Sequence, residues 1–471
     1  MSTSIKNIKV SIQQGEQSLT AVVQAFLDKT AKSKTNSFVE TFNEEALAAA
    51  IKIEAKIKDG SAGKLAGLVI GLKDNICYKN HIVTASSKIL ENFESLFDAT
   101  VTQRLIAEDA IILGRLNCDE FAMGSANENS VYGPTLNPHD MERVPGGSSG
   151  ASAAAVAEGL CHASLGTDTG GSVRQPAAFC GVIGFKPTYG RISRYGIISY
   201  GSSFDQVGIF ANNIEDTAII AEVISGQDEF DATCSNQSVP NYSETLTISR
   251  KVKIAYFEDT VNHPSIDPEI SQAIKDKIEA LKVLGHQVEP VQFNYTDHLV
   301  PTYYVLTTAE ASSNLARYDG VHYGHRSDDA NYTESTYVNS RTEGFGLEVK
   351  RRIMTGTFVL SSGYYDAYYG KAQKVRNLIT QKTNDILDQY DFILSPTTPE
   401  TAFKHGEKTD DPIKMYLSDI FTVHANLSGI PAISIPIRNH SNGMPMGLQL
   451  SAKKFDESAL FAFADLCMKE I

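Results

Sequence analysis

The chain has 471 residues, 42% of them hydrophobic and 21% charged, with a formal net charge of −14. That composition belongs to a globular protein with a sizeable core, and the acidity argues against a chain that grips nucleic acid by itself through clustered Lys and Arg. A local basic patch stays open, but a solvated, cytosolic surface is the plainer reading. The six cysteines form no C-x-x-C pair and no zinc spacing, so thiols in a reducing compartment, the cytoplasm, are expected. No stretch approaches the roughly 18 apolar residues of a membrane span, and MSTSIKNIKV lacks the apolar core of a signal peptide.

In chain order, residues 16–33 carry apolar side chains at helical spacing, with Ser18 placed to cap the N-terminus. A second helix is predicted over about 43–58, from Asn43 to a stop at Gly60, which makes the first 60 or so residues a helical part. Residues 66–72 (AGLVIGL) read as a buried strand, and Lys73 follows directly. A lysine there is either solvent-facing at a strand end or buried for a reason, since Lys is rarely buried. Helix 100–109 and strand 110–116 come next, and 118–138 is a Gly-, Asn-, Ser- and Pro-rich segment with the composition of a functional loop. A helix is predicted over 151–159, a strand over 181–187, and a helix over 212–225 with Asn212 and Glu215 as a capping box.

The rhythm continues with a strand at 252–257, a helix from Asp267 and Pro268 to Gly285, and a strand at 287–293. Helices are predicted over 302–318, 345–356 and 363–390, around a polar, weakly patterned surface excursion at 319–343. Strands at 391–396, 432–437 and 446–451 and a helix at 457–470 complete the chain. Strands alternating with helices imply an α/β fold, a mixed, mostly parallel sheet sandwiched between helical layers, in one domain over residues 1–471.

Two glycine–serine turns stand out, GGSSG at 146–150 and GTDTGGS at 166–172, bracketing an alanine-rich helix. Such turns bring backbone close to a ligand. Neither is a P-loop or a dinucleotide fingerprint, and neither fits the G-x-S-x-G elbow in register. A Ser-His-Asp triad stays open, because triad partners are distant in sequence, but no histidine is singled out. A serine activated by something else needs a base. Lysine serves if burial lowers its pKa. Alternation along the backbone would turn the neighbouring Asp74 away from Lys73. The run TGGS also offers consecutive backbone N–H groups suited to an oxyanion hole. Each turn taken alone reads more readily as a structural Gly–Ser loop.

GGSSGASAAAVAEG and GTDTGGSVRQPAAFCGVIGFKPTYGR, with GLKDN upstream, resemble the amidase signature family of Ser-Ser-Lys hydrolases in order, flanking sequence and the 24-residue serine spacing. GRLNCDEFAMGSANENSVYGPTLNPHD, EVKRRIMTGTF and SSGYYDAYYGKAQKVR resemble, more narrowly, the glutamine-hydrolysing A subunits of tRNA-dependent amidotransferases. The resemblance implies Ser172 as acyl-forming nucleophile, Ser148 (after a cis Gly147–Ser148 peptide) as relay, Lys73 as base, and Thr169, Gly170 and Gly171 as oxyanion-hole donors. Ala151 departs from the glycine common in the family, outside the proposed chemistry.

The resemblance further implies hydrolysis of glutamine to glutamate and ammonia, with Arg352 on the substrate carboxylate, Asp419 on its ammonium and Tyr303 as a lining residue. An arginine grips a carboxylate through two parallel hydrogen bonds. Without the resemblance, Arg352 reads as a solvated helix face and Asp419 as a surface residue or cap. The implied partners are B and C subunits in a heterotrimer. The B subunit would bind tRNA and ATP with Mg2+, and no metal or cofactor is implied for this chain. A stand-alone amidase acting on another amide, and a non-catalytic scaffold, are the alternatives. The intact Lys73, Ser148 and Ser172 set speaks against the scaffold.

Overall fold

The computed structural model describes residues 4–408 and 412–469. Its strands are β1 (Phe38–Thr41), β2 (Val69–Lys73), β3 (Ile111–Leu116), β4 (Ala163–Asp168), β5 (Ile183–Lys186), β6 (Gln206–Ala211), β7 (Lys253–Phe257), β8 (Gln287–Val291), β9 (Phe392–Pro396), β10 (Ala432–Asn439) and β11 (Pro445–Ala452). They form one sheet in the order β1-β3-β2-β4-β6-β5-β10-β11-β9-β7-β8. The sheet is mixed and helix-covered as expected, but the parallel majority is not found. Among the described residues four pairings are parallel and six antiparallel. Parallel pairing is confined to the flanks β3-β2-β4 and β9-β7-β8, where helical crossovers join the strands.

Central strands such as β2 and β3 are buried along their whole length because both sheet faces are covered there, whereas the edge strands β1 and β8 are partly exposed. In β3, Ile111 and Leu113 pack with the helices Leu19–Thr30, Asn43–Asp59 and Gly150–Glu158. Ile112, between them, faces the opposite core with the helices Thr100–Ala107, Ile214–Ile224 and Glu457–Lys469. A third core joins the helices Thr296–Asn314, Leu347–Leu360 and Lys371–Leu387 to β7 and β9.

Ser18 and Asp267 cap their helices as expected, accepting from Ala21 N–H and from Glu269 and Ile270 N–H. The cap of Ile214–Ile224 is Asn213, accepting from Asp216 N–H, one residue beyond the expected Asn212. Asn43 lies inside its helix, after an uncapped Phe42. The polar excursion contains the helix Thr333–Gly344, whose buried residues are Ser335, Ser340 and Gly344; with no apolar stripe its periodicity leaves no signal. The helices Ile5–Gln13, Arg174–Cys180 and Val423–Ser428 and strands β1, β4 and β6 lie outside the expected set. The last residue expected in the closing helix, Glu470, lies outside the described residues.

Candidate active site

Parallel pairing sets the C-terminal ends of β2 and β4 side by side, with Leu72 opposite Leu165. Lys73 ends β2, and Thr167 and Asp168 end β4. The turn after β4 carries Thr169 to Ser172, and the helix Gly150–Glu158 begins at the other serine turn, GGSSG at 146–150.

Lys73 is fully buried. Its Nζ lies 2.8 Å from Ser148 Oγ, 2.9 Å from Ser149 Oγ and 2.9 Å from Thr167 Oγ1. Ser149 donates its own hydroxyl hydrogen to Thr167 O at 3.1 Å, which leaves Ser148 the better placed donor toward a neutral lysine. Burial lowers the Lys73 pKa to about 8, against the pull of Cys118 and of Asp119, Asp205 and Asp168. Asp74 faces away as alternation requires, held by Arg115 Nη1 at 2.8 Å and by Thr84 and Ser86.

The Gly147–Ser148 peptide is cis. Ser172 O accepts from Ser149 N–H at 3.3 Å, so the two serine turns are joined through backbone. The Ser172 hydroxyl makes no hydrogen bond among the described residues, and the residue is 8% exposed where Lys73 and Ser148 are sealed. A buried amine whose pKa is lowered and a serine hydroxyl are thus in contact inside the protein, with the Ser172 hydroxyl at the accessible edge.

The turn is held from below by a buried network. Asp168 accepts from Arg174 Nε and Nη2, each at 3.0 Å, and from Asn426 Nδ2 at 2.8 Å. It also accepts from Gly171 N–H at 2.9 Å. That corrects the expected oxyanion set, because the Gly171 N–H is already engaged. The N–H groups of Thr169, Gly170 and Ser172 have no acceptor among the described residues. Gly171 has φ +132°, and a Cβ there would stand 2.1 Å from Thr422 Oγ1, so no other residue fits. A Cβ on Gly170 would stand 2.4 Å from Cζ of Tyr303, which places that ring against the turn.

Arg352 and Asp419 are buried, not solvated. Arg352 Nε donates to Glu348 Oε1 at 2.8 Å and Nη1 to Tyr200 Oη at 2.7 Å. Its guanidinium also lies over the rings of Tyr200, Tyr304 and Tyr416. Asp419 accepts from Ser125 Oγ at 2.8 Å and Tyr304 Oη at 3.3 Å, and burial pushes its carboxyl up to about 7. Tyr304 therefore touches both charged groups, while its neighbour Tyr303 touches the serine turn. Thr422 Oγ1 lies 2.7 Å from Gly170 O and 3.0 Å from Asp419 O, tying Asp419 to that turn. Sequence reasoning missed Ser149, Thr167, Ser125, Tyr304 and Glu348. Ser149 and Thr167 sat inside the two serine turns and Ser125 and Glu348 inside longer segments quoted for the resemblance; only Tyr304 lay outside every singled-out motif.

A family model described as Amidase matches residues 21–461. The chain belongs to the amidase family. It is 50% identical to a protein of Koribacter versatilis (strain Ellin345) named as the A subunit of glutamyl-tRNA(Gln) amidotransferase, over 98% of this chain and 97% of that one. It is 49% identical to a protein of the same name from Fusobacterium nucleatum subsp. nucleatum, over 99% and 96% of the two chains. The crystal structure of the glutamyl-tRNA(Gln) amidotransferase A subunit from Thermotoga maritima is 41% identical, with a TM-score of 0.77 over 94% of this chain and 90% of that one. This member of the amidase family is thus similar, along nearly all of its length, to amidotransferase A subunits, and it is an amidase-type enzyme.

Proposed function

We propose that this chain hydrolyses glutamine to glutamate and ammonia as the A subunit of a tRNA-dependent amidotransferase. One observation carries the reading: beside a sealed Lys73–Ser148 pair, a buried guanidinium and a buried carboxylate are joined by one tyrosine, Tyr304. A free amino acid presents one carboxylate and one ammonium beyond its reactive amide, and that pair answers both. Arg352 takes the carboxylate, Asp419 the ammonium, and Tyr303 lines the space over Gly170.

Neutral Lys73 takes the hydrogen of Ser148, and Ser148 takes that of Ser172. Ser172 Oγ forms a bond to the amide carbon, and the carbonyl oxygen gains negative charge against the N–H groups of Thr169 and Gly170. Collapse breaks the C–N bond. The proton returns through Ser148 to the departing nitrogen, giving ammonia and an acyl-Ser172. Water then cleaves the ester to glutamate.

The names of the relatives support a complex with other subunits. In this reading B and C subunits complete a heterotrimer. The B subunit binds tRNA and uses ATP and Mg2+, and it receives ammonia to convert misacylated Glu-tRNA(Gln), and Asp-tRNA(Asn) where that is served. The net charge of −14 agrees with tRNA being held elsewhere. The six unpaired thiols suit the cytoplasm. Ser172→Ala in the complex is the test. Glutamine-dependent amidation should disappear while ammonia-dependent amidation persists. Survival of both activities would overturn the assignment, and rapid hydrolysis of simple amides without glutaminase activity would favour a stand-alone amidase.

A further inference from the structure

A hydrogen-bonded path joins Asp419 to the Gly147–Ser148 peptide, and the steps above make no use of it. Ser125 Oγ donates to Asp419 Oδ2 at 2.8 Å. The carbonyl of the same Ser125 accepts from Gln175 Nε2 at 2.8 Å. The other end of that amide, Gln175 Oε1, accepts from Gly147 N–H at 2.9 Å. Gln175 and Ser125 are both buried. A carbonyl at one end and an N–H at the other leave the Gln175 amide one orientation that satisfies both.

The surrounding backbone is shaped to this side chain. Gly146 has φ +83°, and a Cβ there would stand 2.4 Å from Gln175 Oε1 and 2.8 Å from Pro176 Cα. From the other side Asp119 N–H donates to Ser148 O at 3.1 Å, and the Asp119 carboxylate holds Asn127 N–H at 2.9 Å and Asn129 N–H at 3.1 Å. The segment 119–129 that grips Ser148 is thus the segment that carries Ser125 to Asp419.

We propose that Gln175 is a positioning residue that couples recognition of the substrate's α-ammonium at Asp419 to the placement of Ser148. It touches neither the amide nor the reacting oxygens; it acts through Gly147 on one side and Ser125 on the other. The inference rests on the reading of Asp419 as the ammonium site. In a buried path a change of charge at one end is felt along the bonds with little screening. An ammonium ion on Asp419 changes the partner of Ser125, and Gln175 hands that change to the peptide bearing Ser148. Glutamine then has an advantage over an equally long amide that lacks the ammonium, in rate as well as in binding.

The test compares glutamine with 4-carbamoylbutanoate, which is glutamine without its α-amino group, on the chain in its native complex. Gln175→Met keeps the side-chain length and removes both bonds. Ser125→Ala keeps the carbonyl and cuts only the link to Asp419. In each variant kcat for glutamine should fall roughly tenfold, the scale of one lost buried hydrogen bond, while turnover of 4-carbamoylbutanoate changes little in Ser125→Ala and falls clearly less than that of glutamine in Gln175→Met. The preference for glutamine should narrow, and combining either change with Asp419→Asn should narrow it no further. An equal fall for both substrates in both variants would reduce Gln175 to a packing role and overturn the proposal. If Asp419→Asn alone leaves the preference unchanged, the ammonium-site reading fails first, and the coupling with it.

Discussion

The two halves of the site each bury a cation, and burial has opposite consequences for them. Among the described residues Lys73 has only hydroxyls within hydrogen-bond reach, from Ser148, Ser149 and Thr167. No carboxylate in contact offsets its desolvation, and its pKa falls to about 8. Arg352 is as deeply placed, but burial is outweighed by Tyr200 and Tyr304 and by the Glu348 carboxylate, and its pKa is held well above the usual value. Neutral hydroxyls leave one cation ready to lose its proton, and rings with a carboxylate keep the other charged, which suits the roles of base and anchor proposed for them.

The sharpest break of this contrast is Lys73→Arg. Arginine keeps a cation among the hydroxyls but does not give up its proton at neutral pH. The kcat for glutamine hydrolysis should fall by roughly a thousandfold, the range of a lost general base, with KM nearly unchanged. Substantial residual turnover in steady-state assays would mean that Lys73 is a structural cation.

The reciprocal exchange is Arg352→Lys. The shorter, point-like ammonium cannot reach Glu348, Tyr200 and a substrate carboxylate with the same fork. The KM for glutamine should rise roughly ten- to a hundredfold, as for one charge-assisted hydrogen bond, with a smaller change in kcat. An unchanged KM would make Arg352 a purely structural ion-pair partner of Glu348.

The pH profile sharpens the same contrast. In the proposed mechanism Lys73 acts when neutral, and its pKa is lowered to about 8; Asp419 acts when ionised, and its pKa is raised to about 7. Both groups are disabled by protonation, so acid works against both. As pH falls, kcat/KM for glutamine should decline below 8 and steepen below 7, since this ratio reports groups of the unliganded enzyme. In Asp419→Asn the second bend should disappear and the first remain. A bend near 7 that survives the substitution would have to belong to another group.

The two halves also differ in how far they were legible. Lys73, Ser148 and Ser172 lie in short motifs whose glycines are fixed by close approach, as at Gly170 and Gly171, so local sequence carries the local geometry. Arg352 and Asp419 are single charges in ordinary helical and loop contexts, and only family resemblance raised them. What buries them is tertiary: Tyr304 and Tyr416 stack with centroids 3.9 Å apart, from segments more than a hundred residues apart in sequence. Gly171 was misjudged as an oxyanion donor because the engagement of its N–H by Asp168 depends on how the turn folds back. In the sheet, β2 and β3 were plain apolar runs, whereas the antiparallel centre depends on strand order, which periodicity does not encode.

The smallest expected effect bears on the hydroxyl cage itself. Thr167→Val removes one acceptor of the Lys73 ammonium and keeps the side-chain shape. The charged form of Lys73 loses a hydrogen bond, so its proton leaves more readily. The acid limb of the pH profile should move down by roughly one unit, the equivalent of one hydrogen bond to a charged group, with little change in the plateau rate. The same substitution strips Asn75 Nδ2 of the Thr167 oxygen that it meets at 3.0 Å, so a modest fall in melting temperature should accompany the shift. If the melting temperature drops and the limb stays in place, the hydroxyls only pack around Lys73, and its low pKa belongs to burial alone.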